Sequence, residues 1–104
     1  MATTTASSGS TETAQPETLV LRLYVAGGAP NSLRAIANAR AICEEHFASR
    51  YDLEIVDLLE DWARGLADGI IVTPTLLKLS PLPVQRVIGN LRDTPQVLLA
   101  LGRR

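Results

Sequence analysis

The chain has 104 residues and a mass of 11.2 kDa, 46% of its residues are hydrophobic, and its net charge is −1 with a pI near 5.7. This length suits one domain with a continuous core, and the nearly neutral charge gives no field that would attract nucleic acid or an anionic membrane surface. The single cysteine excludes an intramolecular disulfide and suits the reducing cytoplasm, where we expect the protein to act.

The first segment, residues 1–18, is dominated by Thr, Ser, Ala and Gly and has no large aliphatic or aromatic side chain after Met1. It lacks the basic and apolar regions of a signal peptide. Its burial would not offset a backbone entropy cost of about 1–2 kcal/mol per residue. We therefore predict a disordered N-terminal tail at 1–18 and one folded domain at 19–104, with no apolar run long enough to span a membrane.

A strand and an amphipathic helix are predicted next. Alternate positions of residues 19–25 are large and apolar, which is typical of a strand with one buried face. Gly27 and Gly28 predict a turn with unusual backbone angles. Asn31 or Ser32 is then expected to cap the helix. The apolar positions of this helix recur at three- and four-residue spacing and are Leu33, Ile36, Ala39, Cys43 and Phe47.

Residues 53–58 read as a second strand, which completes a strand-helix-strand unit. Such units normally join parallel neighbours through a right-handed connection. A short helix is predicted over 60–68, with Trp62 and Leu66 facing inward and an end near Gly69.

The C-terminal half has periodicities that fit two structures. Residues 76–79 are expected to form a strand and residues 80–83 a turn. The segment 84–91 alternates as a strand would, yet its apolar residues also fall on one helical stripe. The run 97–101 fits a strand and a helix equally well, so this half of the chain indicates two possible packings.

Two stretches, residues 19–32 and 70–79, resemble the halves of a thioredoxin-type domain. A thioredoxin-like oxidoreductase needs two thiols where the first strand meets the first helix. Those positions hold Ala29 and Ser32, so dithiol exchange is excluded and we expect no catalytic residues. In thioredoxin-like proteins a similar Pro-Thr pair precedes a strand with a cis prolyl bond, and Pro74 is the candidate for that bond.

Four motifs occur in order along the domain: LRLYVAG at 21–27, PNSLRA at 30–35, TPTL at 73–76 and PV with VIG between 83 and 89. They resemble the KaiB family, small clock proteins of cyanobacteria and their relatives elsewhere, from about residue 19 to residue 101. Gly69 stands where these proteins often have lysine, so the chain resembles a divergent member.

The resemblance implies a protein without enzymatic activity or cofactor that binds the N-terminal ATPase ring of a KaiC-type hexamer. Such proteins shift KaiC toward dephosphorylation and sequester KaiA, and a clock-output kinase is a further partner. It also implies metamorphic behaviour, because family members exchange between a ground-state βαββααβ fold that forms dimers or tetramers and a monomeric thioredoxin-like fold.

We predict an α/β fold, a thioredoxin-like βαβαββα single domain, with the KaiB ground-state fold as the alternative. Asp93 or Thr94 can cap a final helix, Pro95 suits its first helical position, and Gly102 can close it ahead of the basic residues 103–104. Ala100 replaces a common glycine, which favours that helix by about 0.8–1 kcal/mol. The residues assigned to the fold-switch segment are Trp62, Val84, Val87, Ile88, Gly89, Leu91 and Ala100.

Four basic residues match positions that family members present to partners: Arg22, Arg34, Lys78 and Arg86. An ATPase ring with acidic rims would complement them. The alternative is that these side chains only solvate the surface.

Other functions are weighed against this one. The second hypothesis is the thioredoxin-like sensor domain of a KaiC-interacting histidine kinase, and a KaiB homologue in a stress response without a full clock is a variant of the first. A degenerate redox enzyme would use Cys43 alone. Cys43 and His46 are too few ligands for a metal site, so none is expected. The carboxylates of Asp57, Glu60 and Asp61 are expected to form a solvated face.

Overall fold

In a computed structural model, residues 18–102 are described, and their elements follow in the order βαβαββα. The strands are β1 (Leu19–Val25), β2 (Tyr51–Asp57), β3 (Thr75–Ser80) and β4 (Gln85–Ile88). The helices are α1 (Pro30–Phe47), α2 (Trp62–Ala67) and α3 (Thr94–Ala100). The predicted thioredoxin-like fold class is confirmed, whereas the tail predicted at 1–18 lies almost wholly outside the described residues, as do Arg103 and Arg104.

The strands form one sheet in the order β2-β1-β3-β4. β1 and β2 are parallel and are joined by α1, because a parallel pair needs a long crossover connection. β3 runs antiparallel to β1, and β4 runs antiparallel to β3. In this register Leu21 of β1 lies opposite Leu53 of β2 and Lys78 of β3.

The main core lies between one face of the sheet and the helices α1 and α3. It is built from the alternate apolar residues of β1 together with side chains of α1 and α3, such as Ala39, Cys43 and Val97. A smaller cluster covers part of the other face, and it contains Tyr24, Val56, Ile70 and Leu77. The first face is therefore closed by two helices, while α2 packs over part of the second.

The two ambiguous segments of the C-terminal half form one strand and one helix. In β4, Val87 packs against the main core and Ile88 is exposed, as expected for a period of two. The Asp93 carboxylate accepts a hydrogen bond from the Gln96 N–H at the start of α3, at 3.4 Å. In the run 97–101, the helix-capping signals that the sequence places on either side therefore outweigh the strand-like alternation of the run itself.

The start of α1 differs from the prediction. The helix begins at Pro30 with Ala29 as its N-cap and has no side-chain cap, so the predicted cap by Asn31 or Ser32 is wrong. Ser32 is buried, and its hydroxyl instead accepts a hydrogen bond from the Ala26 N–H at 3.0 Å. The buried face of the helix begins with Ser32 and Ala35, which leaves Leu33 exposed and outside the stripe predicted for it.

The orientation predicted for α2 is also wrong. Trp62 and Leu66 are 66% and 67% exposed, and the one residue of this helix that is buried is Gly65. A Cβ atom at Gly65 would come within 2.5 Å of the Leu58 side chain, so the helix approaches the domain through its glycine. The apolar side chains that the sequence suggested for the core consequently point to solvent.

Candidate partner-binding surface

The junction of β1 and α1 carries no thiol chemistry. Gly27 turns the chain with φ near +56°, and the Asp57 carboxylate accepts hydrogen bonds from the N–H groups of Gly27 and Leu59, both at 2.9 Å. Cys43 lies away from this turn in the main core. Burial raises the pKa of its thiol to about 11, with a smaller contribution from the charge of Glu44. A thiol held protonated in this way is a poor nucleophile.

The loop before β3 contains the candidate cis-proline. The Thr73–Pro74 peptide bond is cis, as are Ser80–Pro81 and Leu82–Pro83. The Thr75 hydroxyl donates to the Val72 carbonyl at 2.6 Å, and the Gly89 N–H donates to the Pro74 carbonyl at 2.9 Å. The proline loop is thereby tied to the end of β4.

An exposed apolar surface surrounds α2. The segment 59–72, which links β2 to the proline loop, exposes several large apolar side chains, and we call these residues the α2 apolar surface: Leu59, Trp62, Leu66, Ile71 and Val72. Ile71 is 93% exposed. Glu60 and Asp61 add carboxylates to the same segment. Several large apolar side chains exposed within one short segment, with a tryptophan among them, are typical of protein–protein interfaces.

Beneath this surface, polar side chains connect α2 to the sheet. The buried Tyr24 hydroxyl donates a hydrogen bond to the Asp68 carboxylate and also lies 3.3 Å from the Arg64 carbonyl oxygen. Arg22 donates to the same carboxylate at 2.8 Å. The Tyr24 hydrogen bond and then the Arg22 charge lower the pKa of Asp68, while burial raises the pKa of Tyr24.

A second ion pair joins α2 to β2. The Arg64 guanidinium binds the Glu54 carboxylate through two hydrogen bonds, at 2.6 and 2.7 Å, and Arg22 reaches the same carboxylate at 3.3 Å. The Arg64 hydrogen bonds lower the pKa of Glu54 to about 2. The carboxylates of Asp68 and Glu54, which lie between α2 and the sheet, are therefore ionised at neutral pH.

The four basic residues predicted to contact partners lie in different places. Arg22 is ion-paired below α2, and Arg86 donates to the carbonyl oxygens of Gly69 and Asp68 at 3.1 and 3.2 Å. Arg34 is exposed on α1 and donates to Asn31. Lys78 is only 4% exposed, so its predicted place on the surface is wrong. Lys78 shares the α1-facing side of the inner strand β3 with Leu76, and that side is covered.

The residues assigned to the fold-switch segment also divide between surface and core. Trp62, Val84 and Ile88 are exposed, whereas Val87 packs against the main core and Leu91 is buried within it. Gly89 has φ near +116° after β4, and Ala100 is the last residue of α3.

Sequence reasoning missed most of the α2 apolar surface and the polar network below it. The signal available in the sequence was Gly65. A glycine inside a short helix marks the side on which the helix packs closely against the domain, so the large side chains of the helix lie on the other sides. The partners of Tyr24 and Arg22 are more than 30 positions away in the chain, where no local pattern connects them.

A shallow groove of about 420 Å³ lies on the α2 side of the sheet and is lined by residues of β1, β2 and β3, among them Arg22, Asp52 and Glu54. Within the described residues, no group of three or more His, Cys, Asp or Glu side chains is placed to hold a metal ion. None of the helices in residues 18–102 has the length and apolar character needed to cross a membrane.

Comparison with known proteins identifies close relatives in sequence. A family model described as the KaiB domain matches residues 22–103. The chain is 47% identical over 83 residues to circadian clock protein KaiB3 of Synechocystis sp., which covers 80% of this chain and 81% of that protein. It is 45% identical over 85 residues to circadian clock oscillator protein KaiB of Synechococcus elongatus, covering 82% and 83% of the two chains.

The fold is shared with solved structures at lower identity. The N-terminal domain of Synechococcus elongatus SasA matches with a TM-score of 0.69 at 22% identity, over 92% of this chain and 94% of that one. Chloroplastic thioredoxin z matches with a TM-score of 0.68 at 20% identity, over 86% and 80%. These likenesses show the thioredoxin-like fold. The family match and the high identities over most of the sequence show that the chain belongs to the KaiB family of circadian clock proteins.

Proposed function

We propose that this KaiB-family chain is a non-enzymatic regulator that binds the N-terminal ATPase ring of a KaiC-type hexamer and modulates its phosphorylation state. It acts in the cytoplasm, without a cofactor, as a monomer in the thioredoxin-like form. KaiA or a clock-output kinase is a further partner. The single observation that carries this proposal is the α2 apolar surface, which a thioredoxin-like domain without redox thiols exposes to solvent.

The α2 apolar surface supports a protein partner rather than a small ligand. Trp62 and Leu66 are one helical turn apart, so they project from the same side of α2 as a pair. Leu59 precedes them and packs against the turn at Gly27. Burying large apolar side chains of this kind on binding is favourable by about 25 cal/mol for each Å² removed from water.

The charges around this surface favour a partner with basic residues at the matching rim. Glu60 and Asp61 precede Trp62, and neither belongs to the Arg64–Glu54 hydrogen bonds, although Asp61 lies 4.0 Å from the Arg64 guanidinium. Rim charges of one sign chiefly speed association and exclude partners of like charge.

We further propose that the C-terminal half is fold-switchable, with a ground-state form that associates as a dimer or tetramer. In the thioredoxin-like form, β4 and the residue before it leave Val84 and Ile88 exposed while Val87 faces the core. A helix over 84–91 would bring these three side chains and Leu91 onto one stripe. The two packings would therefore bury different apolar side chains, and fold switching requires their free energies to lie within a few kcal/mol of each other.

The proposal is tested by mixing the chain with a KaiC-type hexamer and ATP and following complex formation by size-exclusion chromatography over hours. The wild-type chain is expected to co-elute with the hexamer. A Trp62→Ser/Leu66→Ser double variant is expected to lose the complex. Leu99→Ser, at an equally exposed leucine on α3, serves as the control and should bind normally. The absence of a complex with any nucleotide, or equal binding by the double variant, would overturn the proposal.

A second candidate is the sensor domain of a KaiC-interacting histidine kinase, because the SasA N-terminal domain has the same fold. The sequence favours the KaiB-type regulator, since the identities are 47% to KaiB3 and 22% to the SasA domain. Phosphorylation of the hexamer distinguishes the two. A regulator changes it when added in trans, whereas a sensor domain alone binds without changing it.

A further inference from the structure

We propose that α2 is a latch, held on the sheet mainly by polar contacts and joined to the end of β4, which opens locally while the rest of the domain stays folded. This inference concerns the free protein and does not depend on the proposed partner.

The helix α2 buries little apolar side-chain surface against the rest of the domain. Gly65 is the residue of this helix that is buried, and a glycine contributes no side chain to a core. Trp62 and Leu66 are exposed, so the apolar contact that holds the segment comes from its flanks, through Leu58 and Ile70. Hydrophobic stabilisation scales with the apolar area removed from water, and a six-residue helix that buries a glycine removes little.

Polar contacts supply the rest of the attachment to β1 and β2. Asp68, just after the helix, accepts hydrogen bonds from Tyr24 and Arg22 of β1. Arg64, within the helix, binds Glu54 of β2 through two hydrogen bonds. All of these bonds involve a charged group, and ion pairs at the surface weaken as salt screens them.

The same segment is linked to β4 through Arg86. Its guanidinium donates to the carbonyl oxygens of Asp68, the C-cap residue of α2, and of Gly69, the residue after it. A cation placed there satisfies carbonyls that lack helical partners and complements the helix dipole. Asp68 is thus bound to β1 by its side chain and to β4 by its backbone, so opening of α2 releases β4 from this contact.

Two amide groups report the state of the latch. The Gly69 N–H donates to the Leu66 carbonyl at 3.1 Å, and the Ile70 N–H donates to the Gly65 carbonyl at 2.8 Å. Both hydrogen bonds exist only while the end of α2 is formed. Leu23, in the middle of the inner strand β1, serves as the reference because its exchange requires opening of the sheet.

The test is amide hydrogen exchange followed by NMR on the whole chain. In the wild-type protein the protection factors of Gly69 and Ile70 are expected to be at least about 100-fold below that of Leu23. Raising NaCl from 0.1 to 1 M is expected to lower them about twofold further without the same change at Leu23. Equal protection of the three amides, or equal response to salt, would overturn the latch and needs no variant.

Single substitutions test the polar contacts of α2 one at a time. Asp68→Asn is expected to lower protection at Gly69 and Ile70 about tenfold, since it removes the charge bound by Tyr24 and Arg22. Glu54→Gln should lower it about two- to threefold, because that pair is more exposed. Asp52→Asn, which removes a carboxylate from the same face of β2 but not from the network, is the matched control. The proposal would be contradicted if Asp52→Asn lowered protection at Gly69 and Ile70 as much as Glu54→Gln does. It would also be contradicted if Asp68→Asn lowered protection equally at Gly69, Ile70 and Leu23.

Discussion

Replacing Tyr24 with phenylalanine tests the polar network beneath α2 with the removal of a single oxygen atom. The Tyr24 ring is fully buried, so Tyr24→Phe keeps the apolar packing of the smaller core cluster. The change deletes the hydroxyl that donates to Asp68 and lies near the Arg64 carbonyl. Hydrogen bonds to charged groups contribute about 1.5–3 kcal/mol. Arg22 still binds Asp68 in the variant, so we expect the loss to lie near the lower end, about 1.5–2 kcal/mol.

The assay is urea unfolding followed by circular dichroism. With an m-value of about 1–1.5 kcal/mol/M, the midpoint should fall by about 1–2 M at unchanged m. Tyr51→Phe is the matched control, because the Tyr51 hydroxyl donates to Glu44 at the surface and its removal should leave the midpoint unchanged within error. An unaltered midpoint for Tyr24→Phe, or an equal loss for Tyr51→Phe, would show that the Tyr24 hydroxyl does not stabilise the fold through this network.

Three further predictions follow from burial and charge. The Glu54 carboxyl has its pKa lowered to about 2 by Arg64, so its stabilising contribution is present above its unfolded pKa of about 4.3 and is lost as the pH falls toward 2. Urea titrations from pH 6 to pH 2 should therefore show a smaller loss of stability in Glu54→Gln than in the wild-type protein, and identical profiles would contradict this. The Cys43 thiol, with a pKa of about 11, should react with a disulfide reagent at pH 8 at least about 100-fold more slowly in the folded than in the urea-unfolded chain, and equal rates would place it outside the core. Leu23→Ala, at a fully buried position, should lower the free energy of unfolding by about 2–5 kcal/mol in the same urea assay, and a loss below about 1 kcal/mol would argue against the assigned core.

The first half of the fold could be predicted from local patterns. The alternation in 19–25 and the helical spacing after Pro30 each have one interpretation, and their order requires a parallel pair. The segment 84–91 satisfies both periods, so its strand form is decided by tertiary pairing with β3 rather than by its own sequence. The Asp93 cap and Pro95 made α3 predictable, because capping residues act locally.

The surface was harder to predict than the fold. Trp62 and Leu66 read as core residues because size and apolarity carry no information on which side of a short helix faces the sheet. Lys78 was predicted to lie on the surface because lysine is charged. The sequence does not reveal that α1 and α3 cover the face of the sheet on which Lys78 lies. Arg22 and Arg86 read as partner contacts because their acceptors on Asp68 and Gly69 lie far away in the chain.

We propose that the thioredoxin-like form of this KaiB-family chain is the form that recognises a KaiC-type ring. NMR chemical shifts of residues 84–91 in the complex with the isolated ring distinguish the two proposed forms, because this segment contains β4 in the thioredoxin-like form and would be helical in the alternative packing. We expect extended shifts over Gln85–Ile88 and helical shifts over Thr94–Ala100 in the bound chain. Helical shifts at Gln85–Ile88 in the complex, or failure to form a complex, would contradict it.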